Sequence, residues 1–238
     1  MQAPPTPRPP TVKALLFDVF GTVVDWHGSV VRELVRCGLA VDPPAFAEAW
    51  RAGYAPAMDE VRQGRLPWTN LDGLHRRILD RLLVERRVAL DATARQALTR
   101  VWHRLDPWPD SAPGLRRLGR VGPTATLSNG HVALLIDLAR HGELVFDAVF
   151  SAELFGHYKP DPQVYLGAAR LLDLAPEAVL MVAAHPDDLR AAARCGLRTA
   201  WIRRPHEHGP HGVLPAAAAG EFDFDATGLD DLARQLGC

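Results

Sequence analysis

Hydrophobic residues along this chain recur with two different periods. Residues 12–19 (Val-Lys-Ala-Leu-Leu-Phe-Asp-Val) form a short apolar run that ends at Gly21 and predicts a buried strand. From about Pro43 to Leu105 the spacing changes to threes and fours. Phe46, Trp50, Gly53, Tyr54, Ala57 and Val61 make one stripe, Leu71, Leu74, Ile78 and Leu82 a second, and Ala94, Leu98, Val101 and Leu105 a third. Asp91 stands where a helix N-cap belongs. The proline-rich stretch Asp106–Gly114 closes the helical block. Beyond it, apolar runs at 123–127, 146–150, 179–183 and 199–202 alternate with helical patterns at 132–140, 161–172 and 187–195.

Strand–helix alternation predicts an α/β fold, a parallel sheet with helices on both faces. The all-helical block falls between the first strand and the next, so it reads as an insertion covering the sheet. The expected organisation is a Pro-rich tail at 1–11, a core domain made of 12–25 and 106–238, and an α-helical cap domain at 26–105. In an open parallel sheet the ligand site lies beyond the C-terminal strand ends.

Composition narrows the function. The chain has 238 residues, 47% hydrophobic and 23% charged, which is globular and rules out disorder. No apolar run reaches the roughly 18–20 residues of a membrane helix, so no membrane partner is expected. A formal charge of −1 gives no basic excess for nucleic acid. Cys37, Cys195 and Cys238 fall in no paired or metal-type spacing, and the start lacks a secretory signal; both suit a reduced, cytoplasmic setting. Basic residues are nearly all arginine. The only lysines are Lys13 and Lys159, and asparagine occurs only at Asn70 and Asn129. A lone interior lysine in such a chain suits a task that needs a compact point charge.

Four polar clusters stand just past predicted strands: Asp18 with Thr22, Ser128-Asn129-Gly130, Lys159, and Ala183-Ala184-His185-Pro186-Asp187-Asp188. Asp18, embedded in Leu-Leu-Phe-Asp-Val-Phe-Gly-Thr, is costly to bury unless paired, yet alone it reads equally well as a turn cap. Singly, Lys159 reads as a solvated charge and Ser128-Asn129-Gly130 as a turn. Shared location and order set the four apart.

In that order, Phe17–Thr22, Leu127–Gly130, Tyr158–Asp161 and the acidic motif ending in Asp188 resemble the motifs of the haloacid dehalogenase superfamily, across Ala14 to Pro205. The resemblance implies a Rossmann-like core with Asp18 as covalent nucleophile. Most of that superfamily are phosphatases, which place an acid two positions after the nucleophile to protonate an alcohol leaving group. Phe20 stands there and cannot; a departing halide needs no acid. Ala183 stands where those phosphatases hold Mg²⁺ with a carboxylate, although Asp187 and Asp188 leave weak metal binding open.

The Asp-x-Phe-Gly-Thr form is instead similar to the L-2-haloacid dehalogenases, as are Trp50-Arg51 on the first cap helix and Tyr165 six residues after Lys159. On their own, Arg51 reads also as a solvated helix charge and Tyr165 as core packing. The resemblance implies an (S)-2-haloacid dehalogenase acting on a short 2-haloalkanoate with no cofactor and no metal. Asp18 would attack the halogen-bearing carbon to form an ester, with Lys159 keeping the carboxylate ionised. Thr22, Ser128 and Asn129 would grip the substrate carboxylate, Phe20, Tyr165 and Trp50 would line the site, and Arg51 would draw the halide. Water oriented by Asp188 and His185 would open the ester. A homodimer is part of the same resemblance.

The last motif departs from the family pattern Ser-Ser-Asn-x-x-Asp. Ala183 replaces its first Ser, His185 its Asn, and Asp187 an apolar residue of the halogen pocket. His185 reads either as a base or as a hydrogen-bonder of the loop. His206-Glu207-His208 and His211 read as a polar surface loop able to hold a metal only adventitiously. The competing readings are a Mg²⁺-dependent phosphatase, a hydrolase of another small 2-substituted carboxylate such as a strained cyclic amino acid, and a non-catalytic scaffold.

Overall fold

The computed structural model of the protein describes residues 11–238. The expected Pro-rich tail therefore lies, except for Thr11, outside the described residues. Strand β1 (Ala14–Phe17) is buried along its whole length. Its side chains alternate, with Leu15 and Phe17 entering one apolar cluster and Leu16 the other, as a strand sandwiched between two layers requires.

After β1 come β2 (Val24–Asp25) and five helices: α1 (Trp26–Arg36), α2 (Pro43–Ala52), α3 (Tyr54–Arg62), α4 (Leu71–Glu85) and α5 (Ala92–Thr99). A 3₁₀ turn (Arg100–His103) leads to β3 (Asp106–Pro107), which pairs antiparallel with β2 and closes the insertion at its root. Short polar side chains start these helices. Asp25, Asp42, Asn70 and Asp91 each accept a backbone N–H at a helix N-terminus, so the expected Asp91 cap is present. One large apolar cluster runs from Leu15 and Phe17 through Trp26, Trp50 and Trp102 to Leu79 and Leu83. The insertion thus shares its core with one face of the sheet.

The remainder alternates: α6 (Ser111–Leu118), β4 (Thr124–Ser128), α7 (Val132–His141), β5 (Ala148–Ser151), α8 (Pro162–Leu171), β6 (Val179–Ala183), α9 (Pro186–Arg194), β7 (Arg198–Ile202), β8 (Phe224–Ala226) and α10 (Leu229–Gln235). The six main strands form one sheet in the order β5-β4-β1-β6-β7-β8, every neighbouring pair parallel. This is the expected α/β architecture, with β1 central and its C-terminal end flanked by those of β4 and β6. The helices α1, α6 and α10 and the edge strand β8 have no counterpart in the sequence reading.

Candidate active site

The chain leaves β1 directly into Asp18, whose backbone N–H donates to the Val182 carbonyl of β6 (3.0 Å). The Asp18 side chain is 8% exposed and both its oxygens are engaged. Lys159 Nζ donates to Oδ1 at 2.9 Å. Oδ2 accepts from the Thr22 hydroxyl at 2.8 Å and meets His185 Nδ1 at 3.1 Å. Burial raises the Asp18 pKa, but the Lys159 ammonium and the His185 ring outweigh it and hold the carboxyl well below the ordinary range.

Lys159 is shared. Its ammonium also donates to Asp188 Oδ2 at 2.5 Å, while the Tyr165 hydroxyl donates to Asp188 Oδ1 at 2.5 Å. Desolvation of the buried ammonium lowers its pKa, and Asp18 with Asp188 overrides that and raises it, so Lys159 stays charged. The main chain of Lys159 is fixed by Asn129, whose Oδ1 accepts the Lys159 N–H at 2.7 Å, and by Arg62 of α3, which donates to the Lys159 carbonyl at 2.5 Å. Arg62 also pairs with Asp161 at 3.3 Å, Trp68 stacks on Tyr158 with centroids 4.6 Å apart, and the Tyr158 hydroxyl donates to the Thr69 carbonyl. The helical insertion therefore grips the lysine loop from outside.

On the other flank, His185 Nε2 lies 2.8 Å from Glu207 Oε1. Glu207 is 3% exposed and accepts as well from Trp26 Nε1 at 3.1 Å. This corrects the reading of His206–His211 as a surface loop. His206 and His211 are exposed, but Glu207 turns inward. Buried Arg204 carries the segment there, donating to the Thr22 carbonyl (3.0 Å) and pairing with Asp110 (2.8 Å). Gly21, at φ +80°, makes the room: a Cβ there would stand 2.2 Å from Glu207 Oε1. Burial lowers the His185 pKa, and the Glu207 and Asp18 carboxylates outweigh it, raising it to about 10; the imidazole is protonated at neutral pH and donates both N–H groups. Burial pushes Glu207 up, and His185 brings it below the usual carboxylate value.

A cavity of about 550 Å³, counting its open mouth, lies over Asp18 and is lined by Phe20, Arg51, Tyr54, Ser128, Asn129, Lys159, Tyr165, His185 and Asp188. Ten of the eleven sequence-predicted residues thus converge on one place, though not all in the expected role. The Thr22 hydroxyl, fully buried, is committed to Asp18 and to the Ala184 N–H (2.8 Å) and has no reach toward a ligand. Trp50 is also fully buried; it donates to the His75 carbonyl (2.9 Å) and packs edge-on to Trp102 in the core rather than lining the cavity. Asp188 has both oxygens taken. Asp187 at the rim is 94% exposed and paired with Arg190 at 2.8 Å, so it puts no carboxylate in the depth of the pocket. Arg51 forms no ion pair among the described residues; its guanidinium lies over the Tyr54 ring, 4.6 Å from the centroid, facing the cavity.

A buried carboxylate at the end of the central strand, with polar loops from both neighbouring strand ends and a lysine from the segment after β5, defines a hydrolase of a known class. Residues 12–196 match the family model described as haloacid dehalogenase-like hydrolase, and the chain belongs to that family. Within it the chain stands in the L-2-haloacid dehalogenase branch. It is 48% identical to the crystal structure of the L-2-haloacid dehalogenase PA0810, with a TM-score of 0.90 over 95% of this chain and 100% of that one. It is 42% identical to the defluorinating L-2-haloacid dehalogenase Rha0230, with a TM-score of 0.88 over 95% and 96%. An (S)-2-haloacid dehalogenase of Pseudomonas sp. (strain YL) is 32% identical over 206 residues, 81% of this chain and 83% of the relative.

A Mg²⁺-dependent phosphatase would need free oxygen ligands for the ion beside Asp18. The residues here do not fit that ion. Both Asp18 oxygens already meet cationic or hydroxyl donors, Ala183 offers no ligand, and Asp188 is consumed by Lys159 and Tyr165.

Proposed function

We propose that this protein hydrolyses a short 2-haloalkanoate to the 2-hydroxy acid through an ester on Asp18, with residues 26–105 acting as the cap. The observation that carries the reading is a desolvated carboxylate, held ionised by Lys159 and His185, that faces a small cavity also lined by Arg51, which has no ion pair among the described residues. A substrate carboxylate and a departing halide are both anions, and Arg51, the Asn129 amide and the Ser128–Gly130 backbone are what the cavity offers them. Asp18 attacks the halogen-bearing carbon, the carbon–halogen bond breaks, and an ester joins Asp18 to the substrate.

Ester formation removes one of the two carboxylates that keep His185 charged. The ring then sheds its Nδ1 proton to solvent, while Glu207 retains the Nε2–H. Water attacking the Asp18 ester carbonyl gives a proton to Nδ1. Collapse passes that proton to the oxygen of the leaving 2-hydroxy acid, and the acid proton left on Asp18 restores the imidazolium. The net products are the hydroxy acid, halide and one proton. Lys159, locked between Asp18 and Asp188, keeps the attacking carboxylate ionised and orients it.

Three free cysteines support a reducing, cytoplasmic setting. No helix among the described residues is long and apolar enough to cross a membrane. The homodimer rests on the likeness to the branch.

Halide release from chloroacetate, both 2-chloropropionate enantiomers and fluoroacetate tests the reading. Asp18→Asn is expected to lower it by at least about 10⁴-fold. One turnover in ¹⁸O-water should place the label in the Asp18 carboxyl group. Label appearing only in the hydroxy acid would mean that water, not Asp18, attacked the substrate. Activity on an aryl phosphate abolished by chelator would favour phosphoryl transfer instead.

A further inference from the structure

We infer that Asp72, His103 and His131 form a binding site for one divalent transition-metal ion, of the Zn²⁺ or Co²⁺ type, at the seam between the helical insertion and the sheet core. Asp72 lies in the first turn of α4, His103 ends the 3₁₀ turn after α5, and His131 caps α7 immediately beyond Gly130. One ligand atom from each of the three falls within 4.8 Å of the others, and none of them lines the cavity over Asp18.

His131 is the member that ordinary hydrogen bonding does not explain. Its side chain is 8% exposed, yet Nδ1 is buried with no hydrogen-bond partner, and Nε2 stops 3.8 Å from Asp72 Oδ2, beyond hydrogen-bond reach. A buried imidazole with no hydrogen bond at either nitrogen costs free energy, and coordination at Nε2 would satisfy one of the two. Metal–nitrogen and metal–oxygen bonds of about 2.0–2.2 Å span a nitrogen–oxygen gap of up to about 4 Å, so an ion bridges this one.

His103 is built like a ligand. Its Nδ1 faces Asp137 Oδ2 at 2.7 Å, the carboxylate–imidazole pairing that orients a metal-binding ring and raises its basicity. Its Nε2 faces Asp72 Oδ1 at 2.8 Å, and the ion would take the place of that proton after a small opening of the contact. Arg100 approaches His103 Nε2 to 3.2 Å and Asp72 to 3.8 Å and competes for the same position. Its side chain is 46% exposed and also reaches Asp137 at 3.1 Å, so it can turn outward. Two imidazoles and one carboxylate suit Zn²⁺ or Co²⁺ rather than Mg²⁺ or Ca²⁺, with water completing the shell. Occupancy would pin Asp72 and His103 of the insertion to the helix that follows Ser128-Asn129-Gly130.

Untagged full-length protein, stripped with chelator, is titrated with Zn²⁺ and with Co²⁺. The expected result is one ion per chain, a visible absorption band for bound Co²⁺, and proton release that scales with buffer ionisation. His131→Asn should abolish the band, and Asp137→Asn should weaken affinity about 10- to 100-fold. A His206→Ala/His211→Ala variant, altered only in the exposed loop, should bind as the native chain does. In crystals grown with Zn²⁺, the anomalous peak should lie within bonding distance of His131 Nε2, which keeps the test independent of whether a variant folds. No stoichiometric binding, binding unchanged in His131→Asn, loss in the loop variant, or a peak elsewhere would each overturn the assignment.

Discussion

The carboxylate of Asp18 meets Lys159 through one oxygen and His185 through the other, and the two flanks differ in what they have left to give. On the Lys159 flank both oxygens of Asp188 are engaged, one by the ammonium and one by Tyr165. Such an arrangement fixes charge and position and leaves neither oxygen without a donor. On the His185 flank an imidazole stands between two carboxylates, one of which is the nucleophile itself. In the proposed reaction its protonation state changes when Asp18 is alkylated. One flank is static electrostatics; the other responds to the progress of the reaction. Water activation, expected of Asp188 together with His185, accordingly falls to His185 and Glu207 in this mechanism.

The sharpest way to separate the flanks is Glu207→Gln. One equivalent of halide should still be released in a burst, after which turnover slows about 10²- to 10⁴-fold, and mass spectrometry should find the ester on residue 18. Absence of a burst would place Glu207 before the first step. Next comes Lys159→Met, which removes the cation between Asp18 and Asp188. Halide release should fall about 10²- to 10³-fold with no burst, and stability should drop by about 3–5 kcal/mol, seen as a lower Tm. Tyr165→Phe removes only one donor to Asp188. A cost near 1 kcal/mol, or a few-fold in kcat, is expected, and a larger loss would show that Tyr165 touches the substrate.

The smallest effect is on pH dependence. His185 is raised from 6.5 to about 10, so its contribution to stability is full below 6.5 and fades as pH climbs through 10. Asp18 and Glu207 are lowered, so theirs is full above the ordinary carboxylate range and fades as pH falls below it. Tm should plateau between these limits. Glu207→Gln should move the alkaline edge toward lower pH, because His185 loses one of its two anionic neighbours. Calorimetry across pH would show whether that edge moves.

The legible part of the molecule is the part whose signals are local. Four short motifs just past strands named Asp18, Ser128, Asn129, Lys159, His185 and Asp188, and a parallel sheet brings strand ends together whatever the intervening loops do. Periodicity likewise marked α2 to α5. Helix α6 is masked by the proline-rich stretch in which it starts, with Pro113 in its first turn, and α10 has only seven residues; α1 buries Trp26, Val30 and Leu34 on one face. Glu207 was hidden for a different reason. Its neighbours Pro205, His206, Gly209 and Pro210 have the composition of a surface loop, and its partners Trp26 and His185 lie 181 and 22 positions away. Only tertiary folding, with Arg204 seated on the Thr22 carbonyl, reveals it. Trp50 and Thr22 show the converse error: motif residues whose side chains serve the core and the nucleophile rather than the ligand.

Gly21 ties the start of the chain to its last third in a way that matters to anyone rebuilding this scaffold. The space it leaves vacant is filled by the carboxyl group of residue 207, so the opening motif and the late loop are a matched set. Grafting the loop into a relative whose turn carries any side chain at that position would eject the glutamate. Conversely, Gly21→Ala in this protein would silence the imidazole's partner without touching a single ionisable group.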